Sequence, residues 1–183
     1  MGNNKPIMKG MAEMENEFRT LKPELINNNI FKLIGSDWML ITAGTIEKFN
    51  SMTASWGGFG YLWDKNVCIC VVRPSRYTFE FIEKTADFTL SFFDEKYREA
   101  LNFFGTNSGR NVDKMKGTGL TAREGSSGTV HFQEANLYLE CRKIYYQDLD
   151  PQNFIDPKIG NYYSDRDYHR FYIGEITGCF TKE

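Results

Sequence analysis

Asn50-Ser51-Met52-Thr53-Ala54-Ser55-Trp56-Gly57-Gly58-Phe59-Gly60 is the stretch on which the reading of this chain turns. Thr53 and Ser55 offer hydroxyl donors, the paired glycines let main-chain amides come close to a ligand, and Trp56 and Phe59 add flat apolar surface. A planar molecule with a polar edge and a phosphate would need all three properties. On composition alone, a Gly-rich loop between two strands is the simpler account, so the neighbouring segments have to decide.

Those neighbours read mainly as short strands. Residues 30–34 (Ile-Phe-Lys-Leu-Ile) suggest one strand, stopped by Gly35-Ser36-Asp37. Residues 38–45 are apolar almost throughout and predict a strand buried on both faces. After a turn at Asp64-Lys65-Asn66, Val67-Cys68-Ile69-Cys70-Val71-Val72 is short, β-branched and uninterrupted. It runs into Arg73-Pro74-Ser75-Arg76-Tyr77-Thr78, where Pro74 disfavours helix at Arg73 and Ser75 is a suitable N-cap for a helix carrying Tyr77, Phe81 and Ile82 on one face. Residues 88–93 alternate like a half-buried strand. Asp94 is placed to cap a helix with Tyr97, Ala100, Leu101 and Phe104 at helical spacing. Residues 105–109 read as loop, 111–115 as one helical turn, and 117–128 as loop with at most a short extended piece. Strands are expected at 129–132, 137–146 and 169–180, with Gly174 and Gly178 marking bulges in the last. Many short strands with two or three inserted helices predict a mainly β fold, a closed or nearly closed barrel decorated by helices.

The whole is expected to be one domain over residues 1–183. Residues 1–25 form an N-terminal arm, mobile or extending an edge, with a helical pattern at 13–21. Residues 147–168, rich in Tyr and Asp, form a long insert of no predictable shape. Net charge is −2, which gives no global electrostatic case for nucleic acid. No stretch reads as a membrane span or secretory leader, and Pro6 spoils a myristoylation match at Gly2. Aromatic residues make up 15% of the chain, more than a small core needs, so some are expected at a ligand site or subunit interface. The four cysteines include Cys68 and Cys70 on one strand face, but Cys-x-x-Cys spacing and a second ligand pair are missing. No metal is expected; buried thiols in a reducing cytoplasm account for them.

Chemistry concentrates at residues 73–78. A helix N-terminus presents unpaired amides and the positive end of its dipole, and here two arginines and two hydroxyls surround it, a combination suited to phosphate. An ordinary capped helix with surface arginines is the competing account. Ser108-Gly109-Arg110-Asn111-Val112-Asp113-Lys114 is a second basic, glycine-containing point, meaningful if the fold sets it beside the first. His169 stands where the insert enters the last strand, well placed to meet a ligand, although a lone histidine is more often a packing residue. His131, inside a strand, reads as structural or exposed. HExxH, GxSxG and Walker patterns are absent, so hydrolase and nucleoside triphosphatase readings have no support.

Taken in order, these pieces resemble the flavin reductase-like family, in particular its flavoredoxin branch. The resemblance rests on Asn50-x-Met52-Thr53-Ala54-Ser55-Trp56-Gly57, Leu62-Trp63, residues 73–78 and 88–93, Ser108-Gly109-Arg110 with Asp113-Lys114, and His169-x-Phe171-Tyr172-Ile173-Gly174-Glu175-Ile176. It implies an FMN-binding split β-barrel, usually a homodimer with each site near the subunit interface. It further implies that Asn50 and Met52 to Trp56 run along the flavin ring. Arg73, Ser75, Arg76, Tyr77 and Thr78, with Ser108, Gly109, Arg110 and Lys114, would serve the phosphate. His169 would lie near the flavin and the nicotinamide position. The expected activity is transfer of electrons from NADH or NADPH through non-covalent FMN to a flavin, a small acceptor or a redox protein. FMN is expected over FAD because no GxGxxG is present to hold a second phosphate. Two alternatives stay open: an electron carrier without its own NAD(P)H activity, and a non-catalytic domain binding haem or another planar ligand, against which the two-arginine junction speaks. The insert exceeds the family pattern and bears on substrate choice.

Overall fold

The computed structural model describes residues 18–182. In chain order it gives β1 (Arg19–Thr20), β2 (Met39–Thr45), β3 (Lys48–Ala54), β4 (Gly57–Leu62), β5 (Lys65–Val72), α1 (Tyr77–Lys84), β6 (Asp87–Phe92), α2 (Arg98–Thr106), α3 (Lys114–Thr118), β7 (Ala122–Glu124), β8 (Val130–Phe132), β9 (Leu137–Asp148) and β10 (Arg170–Thr181). The main sheet is antiparallel and runs β3-β2-β6-β9-β10-β5-β4, while β7 and β8 pair separately. β10 has β9 along one side; its other side is shared by β5, at residues 170–175, and by β1, at Thr181 and Phe180. The arm thus becomes a sheet edge at residues 19–20, and the helical pattern expected at 13–21 falls largely outside the described residues.

The sheet curls on itself. Phe59 of β4 meets Phe92 of β6 edge to face at 6.0 Å, although three strands separate them along the hydrogen-bonded path. One cluster of buried side chains draws on β2, β3, β5, β6, β9 and β10, including Met39, Ile41, Val72, Phe88, Leu90, Leu139 and Tyr172. Removing each such side chain from water stabilises the fold by roughly 1.5–3 kcal/mol. The two ends of the path, β3 and β4, are consecutive in the chain and joined by Ser55 and Trp56. The barrel is therefore closed across that line by covalent connection, not by a ladder. This is a split barrel, as the sequence resemblance implied.

Several expectations need correction. Residues 30–34 are helical: Ile30–Lys32 form an α turn that continues into a wider turn, Leu33–Asp37. Asn29 accepts the Lys32 N–H at 3.1 Å and so supplies a local cap, while Phe31 is left 90% exposed. Residues 50–60 are mostly strand, not loop. The β4–β5 turn is centred on Trp63 and Asp64, both with left-handed φ (52° and 55°), one residue earlier than expected. β6 is buried on both faces: one looks into the barrel, and β8 packs on the other, where Thr89 donates to the Val130 carbonyl. Asp94 makes no side-chain cap and instead accepts from Asn136 at 2.6 Å; a short 3-10 turn precedes α2, which runs on to Thr106. The turn expected at 111–115 is α3, displaced to 114–118. The insert holds two 3-10 turns, Pro151–Asn153 and Pro157–Tyr162. The two bulges in β10 lie at Gly174 and Gly178, as read from the sequence.

All four cysteines are buried and unpaired, and burial pushes the Cys70 and Cys141 thiols well up, which makes them inert. Among the described residues, no helix is long and apolar enough to cross a membrane, and no group of His, Cys, Asp and Glu is arranged to hold a metal.

α1 is the element that sets the site. Its C-terminal Glu83 accepts from Arg170 Nη1 at 2.7 Å and from the Tyr172 hydroxyl at 2.7 Å, and Arg170 in turn grips Asp148 with two bonds of 2.7 and 2.9 Å. One end of the helix is thereby fixed to β9 and β10, so its other end is held over the split.

Candidate functional site

Four segments meet at the split: β3 with its continuation through Trp56, the junction from β5 into α1, the loop from α2 into α3, and the end of the insert from Asp165 to His169. Between them lies a groove of about 520 Å³, joined to a smaller pocket of about 180 Å³ by the shared walls Met52, Arg73 and Arg76. Every residue singled out from the sequence lines one of the two. Asn50, Ser75, Tyr77, Thr78, Ser108, Gly109, Arg110 and Lys114 face the groove. Thr53, Ala54, Ser55, Trp56 and His169 face the smaller pocket. The second basic point is thus brought beside the first, although about 35 residues separate Ser75 from Arg110.

The local packing explains this convergence. Asn50 Nδ2 donates to Thr78 Oγ1 at 2.7 Å, tying β3 to the first turn of α1 inside the core. A side chain at position 109 would strike the Asn50 carboxamide oxygen, so glycine there lets the α2–α3 loop close onto the pair. Thr53 Oγ1 donates to the Leu101 carbonyl at 2.5 Å, fastening β3 to α2. The Thr53 hydroxyl is therefore committed as a donor to framing the site, and the Thr78 oxygen takes part in the same frame as an acceptor.

The cations divide into two kinds. Arg73 donates to the carbonyls of Tyr162 (2.8 Å) and Asp167 (3.4 Å) and lies over the Tyr163 ring at 5.1 Å, so its fork holds the insert. Arg110 pairs with Glu80 at 2.5 Å, donates to the Ser75 carbonyl at 3.2 Å and covers the Tyr77 ring. Arg76, by contrast, makes one bond, to the Gly105 carbonyl at 2.8 Å. Lys114 is 7% exposed and donates to the carbonyls of Ser51 (2.8 Å) and Phe104 (3.0 Å). Among the described residues, neither Arg76 nor Lys114 has a carboxylate partner. Burial, and after it the Arg76 charge, lower Lys114 to about 8.

Ser75 corrects the sequence reading at one point. The N-cap of α1 is Arg76, which makes no side-chain cap. The Ser75 hydroxyl and amide instead both donate to the Asp167 carboxylate, the amide at 3.3 Å.

In the smaller pocket, the rings of Trp56 and His169 lie 5.1 Å apart, and Tyr162 meets Trp56 edge to face at 5.4 Å. His169 Nδ1 is 2.9 Å from the Tyr163 hydroxyl. Burial, then the nearby Arg73, lower His169 to about 4, so the imidazole is neutral at physiological pH. His131 is buried against Tyr138 at 4.0 Å, away from both cavities, in the structural role read for it.

Sequence reasoning missed Phe104, Asn107, Asn111, Asp165 and Asp167 in the groove, and Tyr162 and Tyr163 beside the smaller pocket. The Tyr/Asp richness of the insert was the available signal. Nothing local ties it to Arg73 and Ser75, which lie about 90 residues away in sequence.

The chain's fold is shared with solved structures. An FMN-binding protein from Thermus thermophilus, crystallised with p-hydroxybenzaldehyde, superposes with a TM-score of 0.65 at 18% identity, over 90% of this chain and 82% of that one. A flavoredoxin from Methanosarcina acetivorans gives 0.62 at 24% identity, covering 90% and 76%. An NADH:FAD oxidoreductase from Streptomyces globisporus, in complex with NAD and FAD fragments, gives 0.61 at 16% identity, covering 79% and 74%. No curated protein sequence matches the chain. The family model described as "Flavin reductase like domain" matches residues 31–183, a span that includes both cavities, and this chain accordingly belongs to the flavin reductase-like family.

Proposed function

We propose that this protein binds FMN non-covalently and works as an NAD(P)H-dependent oxidoreductase that delivers electrons to a flavin, a small acceptor or a redox protein. The observation that carries the flavin reading is the pair Arg76 and Lys114. A buried ammonium beside a guanidinium, with no carboxylate between them, is expensive unless an anion is supplied. The groove they line is large enough for a phosphate and its polyol chain, and it opens directly into the pocket of Trp56 and His169. Anion site and ring site thus stand in the order that a flavin mononucleotide presents them. Relatives described as FMN-binding support the same choice, while the FAD oxidoreductase keeps FAD as the alternative nucleotide.

In this reading Arg76, Lys114 and the amides at Ser108 and Gly109 hold the phosphate. Arg73 and Arg110 act indirectly, by fixing the insert and the rim. Met52 to Trp56 seat the ring, with main-chain groups of β3 meeting its polar edge. FMN, when bound, supplies the hydride-accepting and electron-passing chemistry. The protein orients the ring, excludes water behind it and offers His169 as a neutral group at the pocket wall. No acid–base pair is required of the chain. The exposed aromatics Tyr61 (69%) and Trp63 (57%), with Tyr145 of β9 (40%) 6.2 Å from Trp63, support a homodimer formed through the β4–β5 face, and the four unpaired thiols support a cytoplasmic location.

A carrier that receives electrons from a protein partner is the second reading. It is favoured by the exposed rings of Trp56 (41%) and Tyr162 (60%) at the rim, which offer such a partner a landing close to the ring pocket. The visible spectrum of the purified protein, reconstitution with FMN and with riboflavin, and anaerobic addition of NADH and NADPH test these statements in order. Flavin bands, tighter binding of FMN than of riboflavin and rapid bleaching are expected. Bands without bleaching would select the carrier, and failure to take up FMN would overturn both.

A further inference from the structure

The insert exceeds the motifs that carry the family resemblance, and it supplies the polar contact that orients His169. Tyr163 Oη lies 2.9 Å from His169 Nδ1, and the two residues are 6% and 8% exposed. Tyr163 is itself confined: its ring stacks on Phe154 at 5.7 Å, tilts against Tyr168 at 5.0 Å and lies beneath the Arg73 guanidinium. Trp56 closes the imidazole from another side. Nε2 has no protein partner among the described residues and is not sealed within the core, so it stands free at the wall of the ring pocket.

A neutral imidazole has one N–H and one acceptor nitrogen, and a phenol has one hydrogen to place. The Tyr163 hydroxyl makes no other hydrogen bond, so donation to Nδ1 satisfies it; Nδ1 then accepts and the ring proton resides on Nε2. We propose that Tyr163 is a positioning residue that fixes His169 as the Nε2–H tautomer and thereby aims one N–H donor into the ring pocket. Such a donor suits a carbonyl oxygen on a planar partner, for instance the carboxamide of a nicotinamide. The consequence for turnover rests on the reductase reading above, whereas the tautomer does not.

The test uses untagged, 15N-labelled protein, in which His131 and His169 are the two histidines to assign. Long-range proton–nitrogen correlation at neutral pH is expected to show His169 protonated at Nε2 with a hydrogen-bonded Nδ1, and Tyr163→Phe to give a mixture of tautomers. Tyr163→Phe should also slow NADH- or NADPH-driven bleaching about tenfold, as loss of one oriented hydrogen bond implies, with FMN affinity and the melting temperature nearly unchanged. In a His169→Gln background the same change should have no further effect, because Tyr163 acts through His169. A wild-type Nδ1–H tautomer, or an unaltered tautomer in Tyr163→Phe, overturns the proposal. So does an equal slowing by Tyr163→Phe with and without His169. If neither nicotinamide bleaches the wild-type flavoprotein, the reductase reading fails, and the tautomer measurement still decides the role of Tyr163.

Discussion

Lys114 ties the stability of the free protein to the anion proposed for the groove, and the tie can be read by changing pH. An unfolded lysine titrates near 10.5, whereas Lys114 in the folded protein stands at about 8. Between those values the unfolded chain binds more protons than the native one, so unfolding becomes less favourable as pH rises. From pH 7 to pH 9 this one group should add ~1.4 kcal/mol to the stability of the free protein, or ~3–5 °C in melting temperature for a domain of this size. A bound phosphate acts in the opposite direction. It is already a dianion across that window, and it raises the lysine, so binding must take up a proton once pH exceeds about 8. FMN affinity should therefore fall about tenfold between pH 7 and pH 9, while riboflavin affinity stays level. Melting curves with and without each ligand, on the wild type and on Lys114→Met, measure both effects. The variant controls for the other groups that titrate in alkali, and both Lys114-dependent slopes should vanish in it. Identical pH dependence in the two proteins would show that Lys114 is not the buried cation described here. A slope shared by riboflavin would show that the anion it awaits is not the FMN phosphate.

Other perturbations separate the framing residues from the binding ones. Arg76→Ala should weaken FMN about 30-fold and riboflavin little, by equilibrium fluorescence titration, whereas Arg73→Ala should chiefly raise hydrogen exchange in residues 162–167, whose carbonyls it holds. Asp167→Asn keeps an acceptor for the Ser75 amide but removes a negative charge from the groove; FMN should bind several-fold more tightly at low salt, an advantage that shrinks as salt is added. Ala54→Leu fills the wall of the ring pocket, so FMN and riboflavin should both weaken and the visible bands of any bound flavin should shift.

Much of the fold is legible in the sequence because its strands announce themselves locally. Residues 67–72 could hardly be anything but a buried strand, and the two bulges in β10 follow from glycine at 174 and 178. The errors arise where distant pairing overrides local preference. Gly57, Gly58 and Gly60 have poor strand propensity, yet β4 forms because β5 offers Cys70 to Lys65 as a template. At residues 30–34, β-branched and aromatic side chains favour a strand, but the Asn29 cap and the burial of Leu33 and Ile34 settle a helical turn. The same division runs through the site. Which residues line the two cavities was readable, because glycine, arginine and hydroxyl residues cluster at the strand-to-helix junction and in the α2–α3 loop. How they share the work was not. That Arg73 and Ser75 hold the insert while Arg76 and Lys114 stay without carboxylate partners depends on contacts spanning 89 to 94 residues.

The closure of the barrel through Ser55 and Trp56 has a further consequence. β3 has a ladder neighbour, β2, on one side, so part of its peptide edge faces the split unclaimed by any strand, and Lys114 already takes the Ser51 carbonyl there. A flat ligand whose rim alternates hydrogen-bond donors and acceptors can lie along that edge as a surrogate strand. Recognition of this kind reads the ligand's rim with peptide groups rather than side chains. It therefore tolerates substitution at Ser55 far better than any shift in the path of the backbone, and a proline there that removed an edge amide would be felt where an alanine would pass unnoticed.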